Sequence, residues 1–242
     1  MSTIRVGCCG FPKRRQTYFE HFDLVEIQQT FYEPPKLDTV EGWREKAPPG
    51  FSFTLKAWQL ITHEASSPTY RKMKQAIPES ECGRYGSFRP TDELFAAWNR
   101  TLEVAQVLQA RVVVFQCPAS FKPTPDNVAN MRTFFRQIDR ERLALAWEPR
   151  GPWPDSLVRE LCQELNLIHC VDPFQRSSVH GAPAYFRLHG RSGYRYRYTE
   201  EDLAQLKTWC EQLADVYCLF NNVYMWESAL RCRQLLAPPH LA

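Results

Sequence analysis

Ten polar side chains close short apolar runs along this chain, and their types suit acid/base chemistry on an anion. Glu148 and Glu26 are the candidate general acids or bases, and His189 is the second proton carrier. Lys56, Arg150 and Arg187 supply positive charge to bind and neutralise an anion. Gln116, Asp172, Asn221 and Asn222 add groups that can orient a substrate. Glu148 and Arg150 lie two residues apart, as do Arg187 and His189, and strand alternation puts each pair on one face. Glu26 sits among apolar neighbours in Val25-Glu26-Ile27-Gln28, where a buried acid needs a partner, and Lys56 is the candidate. Glu26, Glu148, Asp172 and His189 are also ligand types for a divalent ion. No His-x-x-x-His or Glu-x-x-His pair supports that reading, and the interleaved cations oppose it, so neither metal nor cofactor is expected.

Residues 191–198 alternate arginine and tyrosine. Such a run can grip a nucleic-acid backbone and stack its bases. It can equally form a loop with one solvated and one packed face, and here it is expected to cover the pocket rim. A formal charge of +3, from 30 basic and 27 acidic residues, is too balanced to favour a nucleic-acid partner in bulk.

The elements that must position these groups are legible as eight apolar or β-rich runs, at 4–9, 24–28, 51–56, 112–116, 143–148, 167–172, 184–189 and 216–221. Several are apolar at consecutive positions, which suits parallel strands covered by helices. Thr91 can cap a helix with apolar positions Leu94, Trp98, Leu102, Ala105 and Leu108. Thr124-Pro125-Asp126 opens another, whose apolar face is Val128, Met131, Phe135 and Ile138. Thr199-Glu200-Glu201-Asp202 begins a third with a capping box, and Leu203, Leu206, Trp209, Cys210 and Leu213 are expected to face the core. A last helix runs from Tyr224 to Leu236, before Pro238-Pro239.

Eight strands in 242 residues is about 30 residues per unit, the arithmetic of an α/β, TIM-type (β/α)8 barrel. A doubly wound sheet would bring a glycine-rich phosphate turn, and neither G-x-G-x-x-G nor a P-loop occurs. The link at 173–183 is too short and too rich in Pro, Ser and Gly for a crossover helix, so that unit is expected to be irregular. Residues 64–90 read as a loop inserted above the barrel, within a single domain spanning 1–242. Nine cysteines, odd in number, without C-x-x-C spacing and mostly inside apolar runs, read as core thiols. No apolar run reaches the roughly 18 residues needed to span a membrane. The N-terminus carries no signal-like apolar core, and the expectation is a cytoplasmic protein of undetermined oligomeric state.

The polar strand ends also carry a resemblance. The blocks Arg5-Val6-Gly7-Cys8-Cys9-Gly10-Phe11, Val25-Glu26-Ile27-Gln28-Gln29-Thr30-Phe31-Tyr32 and Phe51-Ser52-Phe53-Thr54-Leu55-Lys56 are similar to those of the YecE-like family, domain of unknown function 72. So are Phe115-Gln116-Cys117-Pro118-Ala119-Ser120-Phe121, Glu148-Pro149-Arg150, Val171-Asp172-Pro173, Phe186-Arg187-Leu188-His189-Gly190 and Phe220-Asn221-Asn222. This chain has Cys9 and Phe11 where the family commonly has serine and tryptophan, Pro149 where phenylalanine is more common, and Ser228-Ala229 for an asparagine-alanine pair. The resemblance implies a TIM-type barrel with these polar residues in its pocket, and it implies no particular reaction.

The leading expectation is therefore a cofactor-free enzyme acting on a small phosphorylated or carboxylated substrate at the C-terminal mouth of the barrel. Two alternatives remain open: a non-catalytic module for nucleic acid or a nucleotide-like ligand, and a metal-dependent hydrolase or isomerase.

Overall fold

The computed structural model describes residues 3–74 and 76–236, so the Pro238-Pro239 stop lies outside the described residues. In chain order the elements are β1 (Thr3–Cys9), α1 (Arg15–His21), β2 (Leu24–Ile27), α2 (Gln29–Tyr32), α3 (Leu37–Glu45), β3 (Ser52–Lys56), α4 (Gln59–Thr62), α5 (Asp92–Leu108), β4 (Val112–Gln116), α6 (Pro125–Gln137), β5 (Ala144–Glu148), α7 (Asp155–Leu165), β6 (Ile168–His169), β7 (Ala184–Leu188), α8 (Glu200–Glu211), β8 (Asp215–Phe220) and α9 (Met225–Leu236). All eight strands pair in parallel, in the order β6-β5-β4-β3-β2-β1-β8-β7. The two ends of that order meet at Val171 and Phe186, where Val171 N–H donates to Tyr185 O at 3.2 Å and Arg187 N–H donates to Val171 O at 2.9 Å. The result is a nearly closed TIM-type barrel.

The caps anticipated from sequence are in place. Thr91 accepts from Leu94 N–H, and Thr124 accepts from Asn127 N–H with Pro125 at the start of the helix. Thr199 and Asp202 complete a reciprocal capping box. One expectation for that third helix fails: α8 ends at Glu211, and Leu213 lies beyond it, exposed. No helix separates β6 from β7, and residues 64–90 hold two short 3-10 turns, Pro68–Lys72 and Glu79–Arg84. None of the nine cysteines is in a disulfide, and every one except Cys82 is buried. No helix among the described residues is long and apolar enough to cross a membrane.

Strand alternation sorts the core into two sets. One faces the helices and includes Val25, Phe53, Val113, Phe115, Trp147 and Leu188. The other fills the barrel and includes Leu24, Val112, Val114, Ala146, Tyr185 and Leu219. Two residues on from Leu24, Val114, Ala146 and Tyr185, on the same inward face, come Glu26, Gln116, Glu148 and Arg187. The apolar interior of the barrel is thus capped at the C-terminal ends of its strands by a charged layer, the position from which TIM barrels work.

Candidate active site

Arg187 is the centre of that layer. It is 0% exposed, and its guanidinium is shared between two carboxylates. Nη2 donates to Glu26 Oε1 at 2.9 Å, Nε donates to Glu26 Oε2 at 3.1 Å, and Nη1 donates to Glu148 Oε2. Burial disfavours its charge, but the two carboxylates outweigh burial and raise its affinity for the proton. Glu26 also accepts from Tyr185 Oη at 2.8 Å and from Gln28 Nε2. The geometry thereby corrects two sequence-based expectations. Arg187, not Lys56, is the partner of Glu26. Arg187 spends its donors on carboxylates, so it holds the layer together and has no open face for an anion.

Lys56 stands apart. Its Nζ lies 3.4 Å from the centroid of the Phe31 ring and has no hydrogen-bond or carboxylate partner among the described residues. Burial, then the nearby Arg187 charge, lowers its pKa to about 7 against the pull of Glu148 and Glu26. His63 lies alongside, 4% exposed, its Nδ1 2.8 Å from Thr62 Oγ1. Burial and the Lys56 and Arg150 charges lower its pKa to about 3.

From Glu148 the network turns outward. Arg150 Nε donates to Glu148 Oε1 at 2.9 Å, and Arg150 Nη2 donates to His189 Nε2 at 2.8 Å. A guanidinium only donates, so His189 Nε2 must accept and the ring proton belongs on Nδ1. That nitrogen faces Asp172 Oδ2 at 3.8 Å. Asp172 itself is occupied with backbone: Oδ2 accepts from His189 N–H at 2.9 Å and Oδ1 from Phe174 N–H at 3.1 Å. It fixes the start of the loop that carries the histidine. Burial is the largest single influence on Glu148 and opposes ionisation, but Arg187, Arg150 and His189 together overcome it and hold its carboxyl at about 2.

These groups open onto a cavity of about 530 Å³ lined by Glu148, Arg150, Asp172, Arg176, His189 and Arg191, among others. Arg176 and Arg191 were not among the candidates from sequence. Each is tied back to a carboxylate, Arg176 to Asp155 and Arg191 to Asp202 at 2.7 Å. Tyr194 also lines this cavity, so the arginine-tyrosine segment does lie at its rim. The segment is otherwise committed internally: Tyr196 Oη donates to Asp202 Oδ2 at 2.5 Å, Tyr198 is buried, and Arg197 stacks on the Tyr224 ring at 3.8 Å. Gly190, at φ 95°, makes the tight turn into it, and a β-carbon there would collide with the Gly193 carbonyl.

The remaining candidates separate. Gln116 is next to Glu148 by strand register, and Asn221 sits half-buried at the end of β8, its N–H bonded to Leu188 O at 2.8 Å. Asn222 is 0% exposed and structural, donating to Tyr196 O at 3.0 Å and accepting from Tyr224 N–H at 3.1 Å. It does not reach the cavity as a substrate ligand. Gln28, which closes the run 24–28 and is not among the candidates, belongs to the charged layer, and its two-residue spacing from Glu26 is the signal that marks it. The guanidinium of Arg187 lies between Glu26 and Glu148, where shared metal ligation would need a cation. Among the described residues no group of three or more His, Cys, Asp or Glu side chains forms a metal site.

A family model described as "Protein of unknown function DUF72" matches residues 10–240. The UPF0759 protein YunF of Bacillus subtilis (strain 168) is 24% identical over 259 residues, covering 93% of this chain and 86% of that protein. Among solved structures, a DUF72 family protein from Enterococcus faecalis V583 superposes with a TM-score of 0.69 at 22% identity, covering 98% of each chain. One from Thermotoga maritima MSB8 superposes with a TM-score of 0.66 at 21% identity, covering 97% of this chain and 99% of that one.

Proposed function

The chain belongs to the DUF72 family, whose description assigns no reaction, and from the geometry of its barrel mouth we propose an acid/base enzyme acting on a small phosphorylated or carboxylated substrate. The observation that carries this reading is the position of Arg150, shared between Glu148 and His189 at the edge of an open cavity. Its side chain is 40% exposed, so an incoming anion can take over donors that His189 now occupies. That exchange releases the Nε2 lone pair of His189 beside the bound substrate, and anion binding thereby arms the proton acceptor. Asp172 holds the ring's backbone and faces Nδ1, where it favours the charge that forms when Nε2 takes a proton.

Glu148 takes a different part from the proton carrier expected of it. A carboxylate held at about 2 is a weak base and is never an acid at neutral pH. In this reading it is a fixed negative charge that orients Arg150, and Glu26 is held away from the cavity by Arg187 and Tyr185. Arg176 and Arg191 add positive charge to the same walls, which suits an anion.

Inorganic phosphate is the probe for this site. Arg150→Ala is expected to weaken phosphate binding by about 1.5–3 kcal/mol, roughly 10- to 150-fold, through loss of a charge-assisted bond. Titration calorimetry reads the affinity, and ring-nitrogen NMR reads whether phosphate moves the His189 Nε2 signal. Equal phosphate affinity in the wild type and Arg150→Ala, with an unmoved His189 signal, would remove the basis of the proposal.

A further inference from the structure

The charged layer holds one amine whose neighbours equip it for covalent work. Lys56 is 7% exposed, lies against the face of Phe31 and has no carboxylate partner among the described residues, where Arg187 is bonded to both Glu26 and Glu148. Its amine belongs to the same charged layer as Arg187, Glu148, Glu26 and Arg150, close enough for their charges to act on it. We propose that Lys56 is an imine-forming nucleophile, and that the substrate class of this site is a small 2-oxo acid whose carboxylate is taken by Arg150. The inference rests on the anion site proposed above and adds the carbonyl.

The surroundings of Lys56 supply what an amine nucleophile needs. An ammonium has no lone pair to offer, so the group must be neutral for a useful fraction of the time at neutral pH. Enclosure and nearby cations bring this about by disfavouring the protonated form. The titratable groups that act on it are Arg187, Glu148, Glu26 and Arg150, with His63 beside it. The guanidiniums and burial push in one direction, the carboxylates push back, and the balance leaves Lys56 at about 7.

In the step itself the neutral Nζ attacks the carbonyl carbon, a C–N bond forms, and the C=O π pair passes to oxygen. Water carries the proton lost by nitrogen to that oxygen and gives a carbinolamine. The nitrogen lone pair then forms C=N, and the hydroxyl leaves as water with one proton from solvent. The balance is amine plus carbonyl plus one proton to a protonated imine plus water. No oxidant or second reactant is required.

The test uses the whole protein with pyruvate as probe and cyanoborohydride as the trapping reductant. At pH 7 one reduced pyruvyl group is expected on the peptide containing Lys56, at a rate at least about tenfold above that of exposed lysines such as Lys13 and Lys46. The trapping rate should rise with pH through about 7 and then level off. Lys56→Arg and Lys56→Met should both abolish that adduct. Pyruvate affinity, measured by titration without reductant, should fall in Arg150→Ala. Label spread over exposed lysines with Lys56 unmodified overturns the imine. If pyruvate affinity still depends on Arg150 in that case, the anion site stands without it; if that dependence is also missing, both fall.

Discussion

Arg187→Met is expected to destabilise the protein by about 3–5 kcal/mol, the usual cost of removing one partner from a buried ion pair. For a chain of this length that lowers Tm by roughly 6–20 °C. The reason is the arrangement of Glu26 and Glu148, both buried and both bonded to the same guanidinium. Without it two carboxylates face each other in a poorly solvated layer, and one must take up a proton or draw in water. Replacing Glu26 and Glu148 with glutamine in the same chain removes those charges and should recover most of the lost stability. Thermal and urea unfolding of the single and triple variants measure this directly. An unchanged Tm in Arg187→Met would mean that the two carboxylates are not held by this residue in solution.

The second large effect is on acid stability. In the folded protein the Glu148 carboxyl is held at about 2, below the roughly 4.3 of an unfolded glutamate. The folded state therefore releases this proton more readily than the unfolded state, and ionised Glu148 stabilises the fold above about pH 5. As the pH falls from there towards 2, the unfolded chain takes up the proton first and the contribution is lost. The depression corresponds to about 3 kcal/mol. Glu148→Gln should flatten the stability curve across that window and leave the slope above pH 5 unaltered. Lys56 acts in a separate window, because its folded pKa near 7 lies below its unfolded value of about 10.4. Its contribution is complete above about 10.4 and is lost as the pH falls through 7, so stability should rise with pH over that range. Urea midpoints from pH 2 to pH 10 separate the two residues.

The sequence carried the strands well, because a parallel barrel imposes a local rule: apolar runs of strand length, about 30 residues apart, with helix caps between them. Thr91, Thr124 and Thr199 signalled their helices through side chains that act only a few residues away. The polar strand ends were legible for the same reason, since two-residue spacing sets which face Glu148 and Arg187 occupy. What the spacing could not provide was partnership. Glu26 and Arg187 are 161 positions apart and meet only because the barrel closes, so the sequence offers Lys56 as a candidate partner and does not reveal the real one. Asn221 and Asn222 are adjacent and chemically identical, and only the fold separates the one at the strand end from the one locked into a turn. Arg176 carries no local signal at all, because it reaches the cavity from the irregular link after β6.

That irregular link has a mechanical consequence. β6 is two residues long, and beyond it the backbone ladder closes the barrel only through Val171, with no crossover helix laid over the join. Every other neighbouring pair of strands is zipped by a longer ladder or flanked by a packed helix, so this seam is where the cylinder parts with the fewest bonds broken. Asp172 stands on one lip of the seam and His189 on the other, joined by a 2.9 Å bond from the histidine's own N–H. Any opening of the seam would pull directly on the backbone that carries the imidazole. The most thinly bonded line of the barrel thus runs beside the histidine proposed as proton carrier, and a ligand that bridges Arg150 and the seam is expected to stiffen that wall as it binds.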